Sequence, residues 1–317
     1  MESRIGSNDP RSVETPLRPI LDQILAYPTA VAPDSAPEIQ ALIKKHSLRF
    51  ELDVQTADFR FEANSGGIAS ARITVGLGAL ERTWAAAFAY TVLFSLYTDR
   101  HKARRSGRHV DSLSHPHLEN ALTLINWAFF VQHRRQRLPW PDNAPSPSKP
   151  SNDHKQMRST EIAFTGMVGW LLLHELGHFA CGHCDQHSQV VHEDSKTAHR
   201  NEYDADQWAH RQVTRTKRDE TRISATCAVP FALGVVAAVD YRPTDQHPAV
   251  ADRIRSYMRE FISPLGQTER DLCATVHASA IVPLQAVLLQ NGKLEKSTRE
   301  FRDFEDYLLW WEKTLDG

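Results

Sequence analysis

The hydrophobic pattern of this chain changes once, near Gly76, and that change determines the fold class. Between residues 49 and 76 apolar and polar side chains alternate, as at Phe50, Leu52 and Val54, which is the period of a strand with one solvated face. After Gly76 apolar residues recur every three or four positions, which indicates helices. The sequence therefore predicts an α+β, mainly α protein, with a small N-terminal antiparallel sheet followed by a helical domain.

Turn and linker signals organise the rest of the chain. The polar, proline-containing segment 1–46 is expected to be an arm with short helices, and 47–317 a single domain. The segment 64–67 (NSGG) indicates a tight turn inside the sheet. Residues 138–153 hold five prolines, which predicts a surface loop. Helices are predicted at about 78–98, 116–136, 160–182, 198–215, 220–240, 248–262, 269–290 and 297–314.

Charge and hydropathy restrict the possible partners. The chain has 37 basic and 39 acidic residues, so no overall positive field favours nucleic acid. The polar N-terminus lacks the apolar core of a signal peptide, and a cytoplasmic location is expected. The apolar stretches 83–97 and 225–239 are shorter than the roughly 20 residues that span a bilayer, which favours buried helices. The basic run 100–109 is interpreted as a solvated loop, with peripheral membrane contact as the alternative.

The sequence H-E-L-G-H at residues 174–178 is the strongest indication of chemistry. On a helix, residues four apart share a face, so the imidazoles of His174 and His178 can reach one ion. Glu175 is not placed to be a ligand but can act as a general base on water. The helix before it is rich in apolar residues, and buried polar groups there need a partner, which a cation supplies.

A zinc hydrolase needs a third protein ligand and commonly a carboxylate that orients one of the imidazoles. The segment 200–206 (RNEYDAD) offers both, because Glu202 and Asp206 lie four residues apart on one helix face. We assign Glu202 as the third ligand and Asp206 as the orienting carboxylate. Glu193 and Asp194 are rival third ligands, although neither has a matching carboxylate four residues later.

The two motifs together resemble those of the gluzincin metallopeptidases, whose second motif has the form N-E-x-x-A/S-D. This resemblance implies a zincin-like catalytic domain, a Zn²⁺ cofactor, Glu202 as zinc ligand and Asp206 beside His174. A third segment, 247–254 (HPAVADRI), is similar to the H-P-x-x-x-x-R-I segment of HtpX-like gluzincins. That similarity implies that His247 or Arg253 helps to stabilise an oxyanion; the alternative is that His247 and Pro248 simply start a helix.

In chain length, N-terminal sheet and absence of clear membrane spans, the chain is most similar to the phage-exclusion peptidases of the Lit type. This family implies cleavage of a specific cytoplasmic protein, the translation elongation factor Tu, during phage infection. The expected function is therefore that of a zinc-dependent endopeptidase acting on a protein substrate. The alternative is a catalytically silent, zinc-bearing regulatory or binding protein, against which Glu175 argues.

The four cysteines are expected to be reduced thiols, since they are too few for a disulfide framework. A rival structural zinc site would use Cys181, Cys184, His187 and His192. No second C-x-x-C pair accompanies them, so free thiols are favoured. His183 and His199 are interpreted as loop residues.

Overall fold

The computed structural model describes residues 14–55, 59–65, 71–107, 115–131, 138–185, 194–239, 244–245, 247–267, 270 and 272–273. Within these residues eight α-helices and three strands confirm an α+β, mainly α fold. The strands are β1 (Arg49–Asp53), β2 (Phe61–Ser65) and β3 (Ala71–Gly76). The helices are α1 (Tyr27–Val31), α2 (Ala36–Lys45), α3 (Leu77–Arg105), α4 (Leu118–Asn126), α5 (His154–Ala180), α6 (Ser195–Thr214), α7 (Asp219–Val239) and α8 (Val250–Tyr257). Three segments lie outside the described residues: the first 13 residues, nearly all of the predicted helix 269–290, and the predicted helix 297–314.

The sheet is mixed, so the prediction of an antiparallel sheet was wrong in one pair. β2 and β3 are antiparallel, with Phe61 opposite Val75, as the turn signal between them predicted. β1, however, is parallel to β3, and the strand order is β1-β3-β2. Because no tight-turn signal follows β1, the chain does not return beside it. This order leaves β2 at an edge of the sheet.

The hydrogen-bond pattern of β2 determines which of its groups face that edge. Gly76 N donates to Arg60 O at 2.8 Å, which makes residues 60 and 76 a hydrogen-bonded pair. Such pairs alternate with non-hydrogen-bonded ones in an antiparallel ladder. The backbone N–H and C=O groups of Phe61, Ala63 and Ser65 therefore point away from β3, toward the edge of the sheet.

Helix α5 is the centre of the core and packs against α1, α3, α6 and α7. Its residues Met167, Trp170 and Leu173 are fully buried, as is Trp84 of α3. The helix begins at His154, six residues earlier than predicted, because Asp153 caps it by accepting a hydrogen bond from Gln156 N at 3.0 Å. The predicted proline-rich loop therefore ends where the helix starts.

The two apolar stretches, 83–97 and 225–239, lie in helices of this core. Residues 83–97 belong to α3, and every residue from Thr83 to Tyr90 is buried. Residues 225–239 belong to α7. None of the helices within the described residues is both long and apolar enough to span a membrane.

Close contact between α5 and α6 depends on a glycine. A Cβ added to Gly177 would lie 2.8 Å from Ala205 O and 3.0 Å from Ala205 Cα. Gly177 lies between His174 and His178 in sequence, and Ala205 lies between Glu202 and Asp206. The missing side chain therefore sets the separation of the two helices that carry the motif residues.

Replacing Gly177 with Ala is expected to destabilise the protein by about 1–3 kcal/mol, the usual cost of overpacking, and to weaken metal binding. The obstructing atoms are backbone atoms of α6, so the whole helix has to move. The free energy of unfolding from urea titration of the metal-free protein measures the first effect. Gly266→Ala is the control, because nothing lies within 4 Å of its added Cβ. Equal stability of the two variants would contradict this role of Gly177.

Candidate metal centre

Three side chains from α5 and α6 converge on one point. His174 Nε2 lies 3.3 Å from His178 Nε2, and each of these nitrogens lies 3.4 Å from one oxygen of Glu202. One ligand atom from each of the three residues falls within 4.8 Å of the other two. Two imidazoles and a carboxylate are a donor set that suits a divalent transition metal. His174, His178 and Glu202 could therefore form a metal site.

Burial explains why this cluster fits a cation. His174 and Glu202 are each 6% exposed, and a buried carboxylate is costly without positive charge beside it. Burial alone would lower the pKa of His174, but the carboxylates of Glu202 and Asp206 outweigh it and raise that pKa to about 10. Burial raises and the neighbouring histidines lower the pKa of Glu202, which ends well below its ordinary value. In the metal-free protein a proton on His174 therefore adds to the positive charge beside Glu202, and a bound metal would displace that proton.

Asp206 sets the orientation of His174. Its Oδ1 lies 2.9 Å from His174 Nδ1, which leaves Nε2 of the same ring facing Glu202 and His178. The i,i+4 spacing of Glu202 and Asp206 predicted that Asp206 would orient one of the two imidazoles, and Asp206 lies beside His174. Burial opposes the charge of Asp206, but Arg253 and His174 lower its pKa overall. The carboxylate therefore stays ionised beside the ring that it orients.

Arg253 lies behind the ligands and is only 5% exposed. Its Nε and Nη2 each donate to Asp206 at 2.7 Å, in a two-pronged pair, and Nη1 lies 3.6 Å from Glu202 Oε2. Such planar pairing is specific to guanidinium and carboxylate. The guanidinium is therefore committed to holding the two carboxylates of α6.

His247 approaches the same cluster but is much more exposed. Its Nδ1 lies 3.2 Å from Glu202 Oε2, and its side chain is 57% exposed. The hydrogen bond to Glu202, against the effect of burial, raises the pKa of His247. The segment before it is fixed to α6, because His199 Nε2 lies 2.7 Å from Thr244 O. His199, interpreted from the sequence as a loop residue, is a residue of α6.

Glu175 has its own contact, which the sequence did not reveal. Its Oε2 accepts a hydrogen bond from Ala63 N of β2 at 2.6 Å. The side chain belongs to the same helix as His174 and His178 and is 6% exposed. The edge strand β2 is therefore hydrogen-bonded to the carboxylate that follows His174 in the sequence.

His183 was interpreted as a loop residue, and this was wrong. It begins a short 3₁₀ turn, His183–Asp185, and its Nδ1 lies 3.1 Å from Nδ1 of His178. Burial and the neighbouring His178 lower its pKa to about 4, so the ring is neutral at physiological pH. Gly182 after the helix end was the signal in the sequence that the chain turns back here.

The structure does not support the rival cysteine-containing zinc site or Asp194 as a third ligand within the described residues. Cys181 is exposed and Cys184 is buried, and neither forms a disulfide or belongs to a metal-binding group within the described residues. The other two residues of the rival zinc site, His187 and His192, lie outside the described residues, and so does the rival ligand Glu193. Asp194 instead caps α6, accepting a hydrogen bond from Thr197 N at 2.7 Å.

Comparison with known proteins assigns the chain to a family. No curated protein and no solved structure gave a significant match to the chain. The family model Peptidase U49 matches residues 73–270, a range that includes His174, His178 and Glu202. The chain therefore belongs to the peptidase U49 family, a Lit-like family of metallopeptidases.

Proposed function

We propose that this protein is a zinc-dependent endopeptidase that hydrolyses peptide bonds in one specific cytoplasmic protein, in phage defence. The observation that carries the proposal is the convergence of His174, His178 and Glu202 on one point, with the buried carboxylate of Glu175 next to His174 in the sequence of α5. Membership of a peptidase family supports a protein substrate. The translation elongation factor that the Lit-type resemblance implies is the first candidate to test.

Zinc is the proposed metal because two imidazoles and one carboxylate leave a fourth position for water in tetrahedral coordination. When bound, zinc lowers the pKa of a coordinated water to about 7 and polarises the scissile carbonyl. Asp206 holds His174 with Nε2 toward the cluster, and Arg253 neutralises Asp206 and Glu202. We assign Arg253 to positioning, because its buried guanidinium is occupied by these carboxylates.

Glu175 is the proposed general base. One oxygen is fixed by Ala63 N, and the other is available to accept the proton of the attacking water and pass it to the leaving amine. His247 is the proposed donor to the developing oxyanion, since its exposed ring reaches the cluster from outside the core. In this mechanism metal binding, positioning, proton transfer and oxyanion stabilisation fall to different side chains of the three motifs.

The open edge of β2 is the proposed binding surface for the substrate chain. Phe61 and Ser65 have backbone N–H and C=O groups on that side, as Ala63 has its C=O group, and an extended peptide can pair with such groups as an added strand. The edge reaches the reaction centre, because Ala63 N touches Glu175. A substrate paired with β2 would therefore run past the base and the metal ligands.

Replacing Ala63 with Pro is expected to lower kcat by roughly 10- to 100-fold, because a hydrogen bond to a charged group is worth about 1.5–3 kcal/mol. Proline is tolerated on an edge strand where its missing N–H faces outward, so the sheet should survive. Ala63→Val keeps the N–H group and is the control. Steady-state kinetics with the cleaved substrate measure the effect, and equal kcat values for the two variants would exclude this role of the amide.

The function itself is tested by a search for new N-termini in a lysate of the source organism. Wild type and Glu175→Gln are added separately, and protein N-termini are compared by mass spectrometry. We expect a small set of new N-termini, from one protein or a few, with the wild type only. Identical N-termini in both samples, with and without phage infection, would favour the silent zinc-bearing protein instead.

A further inference from the structure

After the end of α5 the chain reverses direction and packs against the last turn of that helix. Cys181 N donates to Gly177 O at 2.9 Å, and Gly182 N donates to Phe179 O at 3.2 Å. Gly182 has φ +78°, the left-handed conformation that glycine adopts at helix ends. This reversal brings His183 back to His178, five residues earlier in the chain.

The contact between the two rings defines their tautomers. His178 Nδ1 and His183 Nδ1 lie 3.1 Å apart, so one nitrogen carries a hydrogen and the other accepts it. A metal on His178 Nε2 leaves the hydrogen of that ring on Nδ1. His178 therefore donates, and His183 accepts with a neutral ring that carries its own hydrogen on Nε2.

We propose that His183 is a positioning residue that fixes His178 in its metal-binding tautomer and orientation. It does for His178 what Asp206 does for His174, with a neutral acceptor in place of a carboxylate. The inference rests on the proposed function, because it assumes that His178 binds a metal. It also explains why the helix carrying H-E-x-x-H ends with a left-handed glycine immediately before a histidine.

Two substitutions at one position separate positioning from packing. His183→Leu fills the space but offers no acceptor to His178. In His183→Asn, the side-chain oxygen can occupy nearly the same position as Nδ1 and accept the hydrogen bond. Residues that orient metal-bound histidines typically contribute about 10- to 100-fold to metal affinity. We expect His183→Leu to lose that much zinc affinity and His183→Asn to recover most of it.

The measurement is competition for zinc against a chromophoric chelator, together with the visible absorption spectrum of the cobalt-substituted proteins. His154→Leu is the control, since it makes the same substitution at the exposed first residue of α5, at the opposite end of that helix from His178. Thermal unfolding of the metal-free variants checks that the fold is kept. Asn should also restore the wild-type cobalt spectrum, which a purely structural role would not require.

Wild-type affinity and cobalt spectrum in His183→Leu would overturn the inference while leaving the proposed zinc site intact. An Asn variant as weak as Leu would also overturn it, because the acceptor would then not matter. If the wild type bound no zinc, the proposed function would fail first, and the inference with it. The comparison with wild type therefore distinguishes the two failures.

Discussion

Glu175→Gln should retain zinc but lose peptidase activity by about 10²- to 10⁴-fold, the range that a positioned general base contributes. The amide has nearly the shape of the carboxylate and can still accept a hydrogen bond from Ala63 N. It cannot take a proton from water. The three candidate ligands, His174, His178 and Glu202, are unchanged.

Three measurements on the purified variant check this expectation: kcat/KM with the cleaved substrate, zinc content by mass spectrometry, and thermal unfolding. Glu62→Gln is a suitable control, because Glu62 pairs with Arg60 on the exposed face of the sheet. Full activity in Glu175→Gln would mean that another group accepts the proton. Loss of zinc together with activity would instead place Glu175 among the ligands.

Arg253→Met is expected to destabilise the protein by about 3–5 kcal/mol, the usual effect of removing one partner of a buried ion pair. The change leaves Asp206 charged and 5% exposed, without the guanidinium that donates to both of its oxygens. Methionine keeps most of the side-chain volume, so the loss is chiefly electrostatic. Urea titration of the metal-free protein gives the free energy of unfolding.

The matched control for Arg253 lies two residues away on α8. Arg255 contacts Asp252 at 2.6 Å, but both side chains are partly exposed, at 28% and 44%. Exposed pairs are usually worth at most about 1 kcal/mol, so Arg255→Met should cost far less. Equal costs for the two substitutions would contradict the view that burial makes the Arg253 pair important.

The candidate metal cluster was predictable because its geometry is local within each helix. His174 and His178 are four residues apart, as are Glu202 and Asp206, and helical periodicity places each pair on one face. The chemistry of zinc sites then requires a third ligand and an orienting carboxylate. The structure brings these four side chains together as expected.

The contacts that were missed depend on tertiary structure. The hydrogen bond from Ala63 N to Glu175 requires β2 to be an edge strand. β2 is at the edge because β1 pairs in parallel with β3, and such pairing leaves no periodic signal in the sequence. His183 looked like a loop residue because periodicity ends with the helix. Arg253 was expected near an oxyanion, and only the packing of α8 against α6 shows it bound to Asp206.

X-ray absorption spectroscopy at the zinc edge tests the central claim most directly, which is that His174, His178 and Glu202 hold one zinc ion. We expect one zinc per chain with only nitrogen and oxygen neighbours at about 2.0–2.2 Å, the distances typical of His and carboxylate ligands. The imidazole signal should correspond to two rings and fall in His178→Ala. Sulfur neighbours at about 2.3 Å, lost on replacing Cys181 and Cys184, would contradict it.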